Sequence, residues 1–190
     1  MTAEPPLLTL RDGWLAGIRR IDSPNHDSRP DNEAVTLIVI HAISLPPAEF
    51  GGPAIIEFFT NGLESKAHPY FAQLEGVRVS AHFLLRRNGE MIQFVSCEQR
   101  AWHAGQSCWQ GRTRCNDFSV GIELEGCDDR PFEDAQYRQL LALLRVLRAN
   151  YPITAVVGHS DIAPGRKTDP GPCFDWQRLA AAGKFPGQCT

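Results

Sequence analysis

The chain has 190 residues, of which 43% are apolar and 22% charged, and a formal net charge of −3. That length and composition suit one domain with a real hydrophobic core, and the near-neutral balance excludes a sequence-wide surface for nucleic acid or anionic lipid. No apolar run approaches the roughly 20 residues that would cross a bilayer.

The first 34 residues are polar and rich in turn formers, as in Ser23-Pro24-Asn25-His26. They predict an arm packed on a domain spanning 35–190. Met1 to Pro6 carries no basic stretch and Leu7 to Leu10 is short for a secretion signal, so a cytoplasmic location is expected. The six cysteines contain no C-x-x-C pair, which points to free thiols rather than a cysteine-rich zinc site.

Val35 to Ile40 is a near-continuous β-branched and aliphatic run, the pattern of a central strand buried on both faces. It ends at His41, at the sheet rim where ligand sites gather in α/β folds. A Pro/Gly-rich loop from Ser44 to Pro53 and a short helix from Ala54 to Phe59 follow. Residues 61–78 look irregular, and a mobile flap is one reading of them. The apolar runs Ala81–Leu85 and Met91–Val95 flank Asn88-Gly89, a strong hairpin signal. Phe118 to Leu124 reads as a strand. Tyr137, Leu140, Leu141, Leu144 and Leu147 recur at helical spacing, which predicts an amphipathic helix over 134–150. Ala155 to Gly158 is a further strand leading into His159, and a last helix is expected from Asp175 to about Ala182. Alternating strands and helices indicate a single α/β domain with a central mixed sheet flanked by helices.

Two strands therefore each end in a histidine. After His159 comes a loop crowded with proline, glycine and charge, running through Lys167 and Asp169 to Pro172. Such a loop needs a reason to be ordered, and a metal would supply one. Two imidazoles and one carboxylate make a common catalytic zinc set, with water in the fourth place. Spacing alone does not select these residues: Asp161 competes with Asp169 as the carboxylate, and Glu123 and Glu125 fall on the same side of one strand.

The segments Val39–Pro47, Val79–Phe83, Arg100–Gly105, Cys115–Gly126 and Gly158–Gly171 together resemble the AmpD-type 1,6-anhydro-N-acetylmuramyl-L-alanine amidases. These form part of the zinc amidase and peptidoglycan-recognition fold family. The resemblance runs in order from about Gly13 to Arg178. It implies Zn2+ held by His41, His159 and Asp169, with Glu123 and Lys167 catalytic. It also implies cleavage of the amide between the lactyl group of anhydro-N-acetylmuramic acid and L-alanine in cytoplasmic cell-wall recycling. The expected partner is an anhydromuramoyl peptide bound by a monomer. Substrate contacts fall to Leu45, Ala101 and Trp102, whose indole stacks on a sugar or packs in the core. His103 joins Trp102 as a wall residue, whereas His82 is expected to be a hydrogen-bonded interior histidine. Arg78 and Arg112 suit a bidentate grip on peptide carboxylates, surface ion pairs being their other use. One departure stands out. The residue after the first histidine is commonly asparagine in that family and is Ala42 in this chain, which has no amide to offer a substrate. A non-catalytic recognition module and an exported amidase are the competing readings.

Overall fold

The structure is a computed structural model that describes residues 8–181. Four short strands come first: β1 (Leu10–Arg11), β2 (Trp14–Leu15), β3 (Arg19–Arg20) and β4 (His26–Ser28). Then come β5 (Leu37–Ile43), α1 (Ala54–Phe59), β6 (Phe83–Leu85), β7 (Met91–Gln93), β8 (Gln99–Ala101), β9 (Cys108–Trp109) and β10 (Arg112–Thr113). The chain closes with β11 (Ser119–Glu125), α2 (Asp134–Asn150), β12 (Ala155–Gly158), α3 (His159–Ile162) and α4 (Trp176–Ala181). Ala182 and Cys189 lie outside the described residues.

Six strands form the main sheet in the order β12-β5-β11-β6-β7-β3. The sheet is mixed: β12, β5, β11 and β6 run parallel, β6 and β7 make the antiparallel hairpin, and β3 joins β7 in parallel. As the apolar run predicts, Leu37, Ile38, Val39 and Ile40 are all but fully buried. The strand does not stop at His41, however. It continues through Ile43, because Ala42 and Ile43 still pair with Leu124 and Glu125 of β11.

Each face of the sheet has its own cover. Ile38 and Ile40 of β5 and Val120, Ile122 and Leu124 of β11 pack against Tyr137, Leu140, Leu143, Leu144 and Leu147 of α2. The helix is held at its start by Gln136, which caps Glu133 and also donates to the carbonyls of Leu85 and Glu125. On the opposite face, α1 covers Leu84, Ile92 and Phe94. Ile162 of α3 joins Leu37, Val39 and Val157 in a third cluster on that face.

The segment ahead of residue 35 is stitched to the sheet by backbone pairing. Besides β3 on β7, β4 pairs with β8. Arg29 fastens it further, donating to the carbonyls of Cys97, Asn116, Asp117 and Ser119 at 2.8–3.2 Å.

His82 is an interior histidine. Its Nδ1 accepts the Gly121 N–H at 3.0 Å, so its one proton sits on Nε2 and is donated to the Gln99 carbonyl at 3.1 Å. Burial, aided by the Arg29 charge, pushes its pKa down to about 3 from the ordinary 6.5. Between these values the unfolded chain binds a proton that the folded chain refuses, so stability falls as acid is added across that window; the contribution is complete above pH 6.5. Urea unfolding measured from pH 7 to pH 4 is expected to show this loss, and His82→Gln should reduce the slope of stability against pH by up to one proton. An unchanged slope in the variant would refute the assignment.

Candidate metal centre

The side-chain alternation of two parallel strands builds the site. In the β5–β11 ladder His41 stands directly opposite Glu123, so both project from the same face of the sheet. That face of β11 carries Ser119, Gly121 and Glu123, while the intervening apolar residues turn to α2. Gly158 is opposite Ile40 in the β12–β5 ladder, which delivers His159, the next residue, beside His41.

Asp169 returns to the same point. Its own carbonyl accepts the Ser160 N–H at 2.9 Å, closing the loop 160–169 on the start of α3. The three donor atoms then form a near-equilateral triangle. His41 Nδ1 lies 3.0 Å from His159 Nδ1 and 3.2 Å from Asp169 Oδ2, and His159 Nδ1 lies 3.1 Å from that oxygen. Among the described residues these three are a set of donors close enough to share an ion.

The hydrogen bonds on the far side of each ring bear on whether a cation belongs there. His159 Nε2 faces the Ala104 carbonyl at 3.2 Å, which can only accept. A His159 ring that donates to this carbonyl from Nε2 leaves Nδ1 free to face the triangle with its lone pair. His41 Nε2 faces His103 Nδ1 at 2.9 Å and is able to donate to it. Two imidazole nitrogens and a carboxylate oxygen thus converge on one point, a donor set that could hold a metal ion. The spacing suits zinc, since tetrahedral ligands about 2.0–2.1 Å from the ion lie about 3.3 Å apart.

Electrostatics agree. Burial pushes His41 down to about 4, with Asp169 only partly opposing it, so that ring keeps its lone pair at neutral pH. Burial alone would raise the Asp169 pKa, but the imidazoles of His159 and His41 outweigh it and hold the carboxyl below its ordinary value.

The two glutamates of β11 part company. Glu125 is buried and saturated, taking Arg86 Nη1 at 3.1 Å, the Gly51 N–H at 2.7 Å and the Arg87 N–H at 3.2 Å. Glu123 has a buried Oε2 with no partner. Burial and then the Asp169 charge raise its pKa well above the ordinary carboxyl value, with Lys167 pulling the other way. Lys167 is exposed, yet close enough for its charge to act on both Glu123 and His41. Asp161 stands outside this cluster of donors; its Oδ2 accepts the Gly158 N–H at 2.7 Å at the start of α3.

Other expected contacts are scattered. Leu45 and Ala101 are buried in the cluster under α1. Trp102 is half-buried, and its backbone N–H donates to the Asn25 carbonyl at 3.3 Å. Arg78 is exposed. Arg112 pairs with Glu33 at 2.8 Å and stacks over Phe118, next to the start of β5 and away from the triad. Ala42 packs with the α2 cluster. Its side chain lies on the face of β5 opposite to that of His41. Sequence reasoning assigned His103 to the wall and missed its contact with His41. The signal was Gly121, a lone glycine within a strand, which marks close approach: a Cβ there would collide with the His103 ring.

A profile of the N-acetylmuramoyl-L-alanine amidase family matches residues 31–172. The chain is 58% identical over 174 residues to the 1,6-anhydro-N-acetylmuramyl-L-alanine amidase AmpD of Escherichia coli K12, covering 90% of this chain and 95% of that protein. A crystal structure of a selenomethionine AmpD derivative superposes with a TM-score of 0.90 at 56% identity, over 92% of this chain and 99% of that one. The E. coli amidase AmiD, solved with anhydro-N-acetylmuramic acid-L-Ala-D-gamma-Glu-L-Lys, superposes at 0.58 with 32% identity, over 93% of this chain and 65% of that one.

The two aspartates make a clean test. Asp169→Ala is expected to abolish stoichiometric zinc in metal analysis of the purified protein. Asp161→Ala should keep one zinc per chain while losing about 1 kcal/mol of stability, the usual cost of a lost helix cap.

Proposed function

Because the chain belongs to the N-acetylmuramoyl-L-alanine amidase family, we propose that it hydrolyses the amide joining the lactyl group of 1,6-anhydro-N-acetylmuramic acid to L-alanine, with zinc held by His41, His159 and Asp169. The observation that carries this reading is the convergence of those three donors on one point with the unpartnered carboxylate of Glu123 on the same face. The substrate class rests on the names of the AmpD relatives and on the anhydromuramoyl peptide in the AmiD complex.

Zinc bound there would supply Lewis-acid polarisation of the amide carbonyl and bring the pKa of a water molecule towards about 7. The protein's own residues do the rest. Glu123, made more basic by burial and by Asp169, takes a proton from the attacking water and returns it to the leaving amine of L-alanine. Lys167 brings an ammonium to the same face and balances the oxyanion on the tetrahedral carbon. Trp102 and Arg78 keep surface with which to meet sugar and peptide. Leu45 and Ala101 support the pocket from beneath, and Arg112 would reach a carboxylate only by leaving Glu33.

One chain supplies every group, so a monomer suffices. The five described cysteines are free thiols, in accord with a reducing cytoplasm. No described helix is long and apolar enough to cross a membrane.

Release of free peptide from an anhydromuramoyl peptide should stop in a chelator and return with zinc; turnover that survives complete metal removal sinks the proposal. Glu123→Ala should still bind one zinc but lose about 10²–10⁴ in kcat. Lys167→Ala should cost about 10²–10³ in kcat with little change in KM, as expected of a group that acts on the transition state.

A further inference from the structure

His41 differs from His159 in how its outer nitrogen is held. His159 Nε2 rests directly on a backbone carbonyl, that of Ala104. His41 Nε2 rests on another imidazole, whose two nitrogens can each play either role. Its orientation is therefore only as definite as the chain of contacts behind it.

That chain can be read from its far end. The Cys115 carbonyl accepts only, so Ser119 Oγ, 2.6 Å away, must donate to it. With its proton spent, Ser119 Oγ has lone pairs for His103 Nε2 at 3.1 Å. A neutral His103 that donates from Nε2 accepts at Nδ1, and its partner there is His41 Nε2 at 2.9 Å. His41 must then carry its proton on Nε2, leaving the Nδ1 lone pair for the triad. Every link follows from the one before it, and the first is fixed by backbone.

The space for this chain is built into β11. Ser119 and Gly121 occupy alternate positions on the metal face, and the His103 ring lies over Gly121, where any side chain would strike it. The ring's backbone is anchored too: Asn116 Oδ1 accepts the N–H groups of His103 and Ala104 at 3.2 and 2.8 Å. Asn116 thus steadies both the His103 ring and the Ala104 carbonyl that serves His159.

We propose that His103 and Ser119 are positioning residues that carry the direction of the Cys115 carbonyl to His41 and so fix which of its nitrogens faces the ion. The proposal rests on the reading that His41, His159 and Asp169 hold zinc. Partners that orient a metal-bound histidine are typically worth 10–100-fold in metal affinity.

Metal-stripped protein titrated with zinc against a chromophoric chelator provides the test. His103→Phe keeps an aromatic ring and removes both nitrogens, and it should weaken zinc binding about 10–100-fold. Ser119→Ala breaks the chain one link further out and should cost a smaller factor, even if the Phe variant folds poorly. His103→Gln, with one acceptor and one donor, should recover part of the loss. In zinc-loaded, ¹⁵N-histidine-labelled protein, the His41 Nε2 proton should give a slowly exchanging downfield signal. It should shift in Ser119→Ala and exchange rapidly with water in His103→Phe, which a merely space-filling role would not cause. Wild-type binding with affinities within twofold in both variants and an unmoved proton signal would overturn the relay alone. A wild-type protein that binds no zinc would take the metal assignment down with it.

Discussion

The parallel pairing of β5 with β11 is the constraint on which the site depends. It sets His41 opposite Glu123, and because side chains alternate with a period of two, a slip of one residue would send both to the α2 side. What prevents the slip is the back of the same strands. Ile38 and Ile40 of β5, with Val120, Ile122 and Leu124 of β11, are buried against the α2 leucines. Exposing even one such side chain costs roughly 1.5–3 kcal/mol. The register that sets His41 opposite Glu123 is thus enforced by an apolar core on the other face of the sheet.

Much of this frame was legible because it is periodic. The spacing from Tyr137 to Leu147 predicts α2 with its observed bounds, and the runs around Asn88-Gly89 predict the β6–β7 hairpin. The continuous apolar run predicts β5 as a central strand, though it ends that strand too soon, since pairing with β11 carries it past His41. Residues 8–34 were opaque as strands. Their two- and three-residue pairings depend on backbone hydrogen bonds and on the half-buried Arg29, neither of which leaves an apolar pattern.

The site itself was legible mainly through its motifs. Composition cannot separate Asp169 from Asp161, because the difference is a backbone N–H that Asp161 caps. Nor can strand alternation separate Glu123 from Glu125. That distinction comes from Arg86 and the Arg87 N–H on a hairpin nearly forty residues away, a contact with no local signature. Ala42 taught the opposite lesson. As the neighbour of His41 it looked significant, and alternation places it on the far face.

The loop that carries Asp169 is tied down by the protein as well as by any ion. Ser160 N–H holds the Asp169 carbonyl, Asp161 caps Gly158, and Arg166 reaches the carbonyls of Ala104 and Gln106 at 2.9 and 2.6 Å. The crowding of proline and glycine in that stretch had suggested that metal is what orders it. With these anchors in place, the entropy of closing the ten-residue loop is already met by the fold. A cation arriving at the three donors would spend little of its binding energy on shaping the chain, and exchange of one ion for another need not pass through an unravelled intermediate.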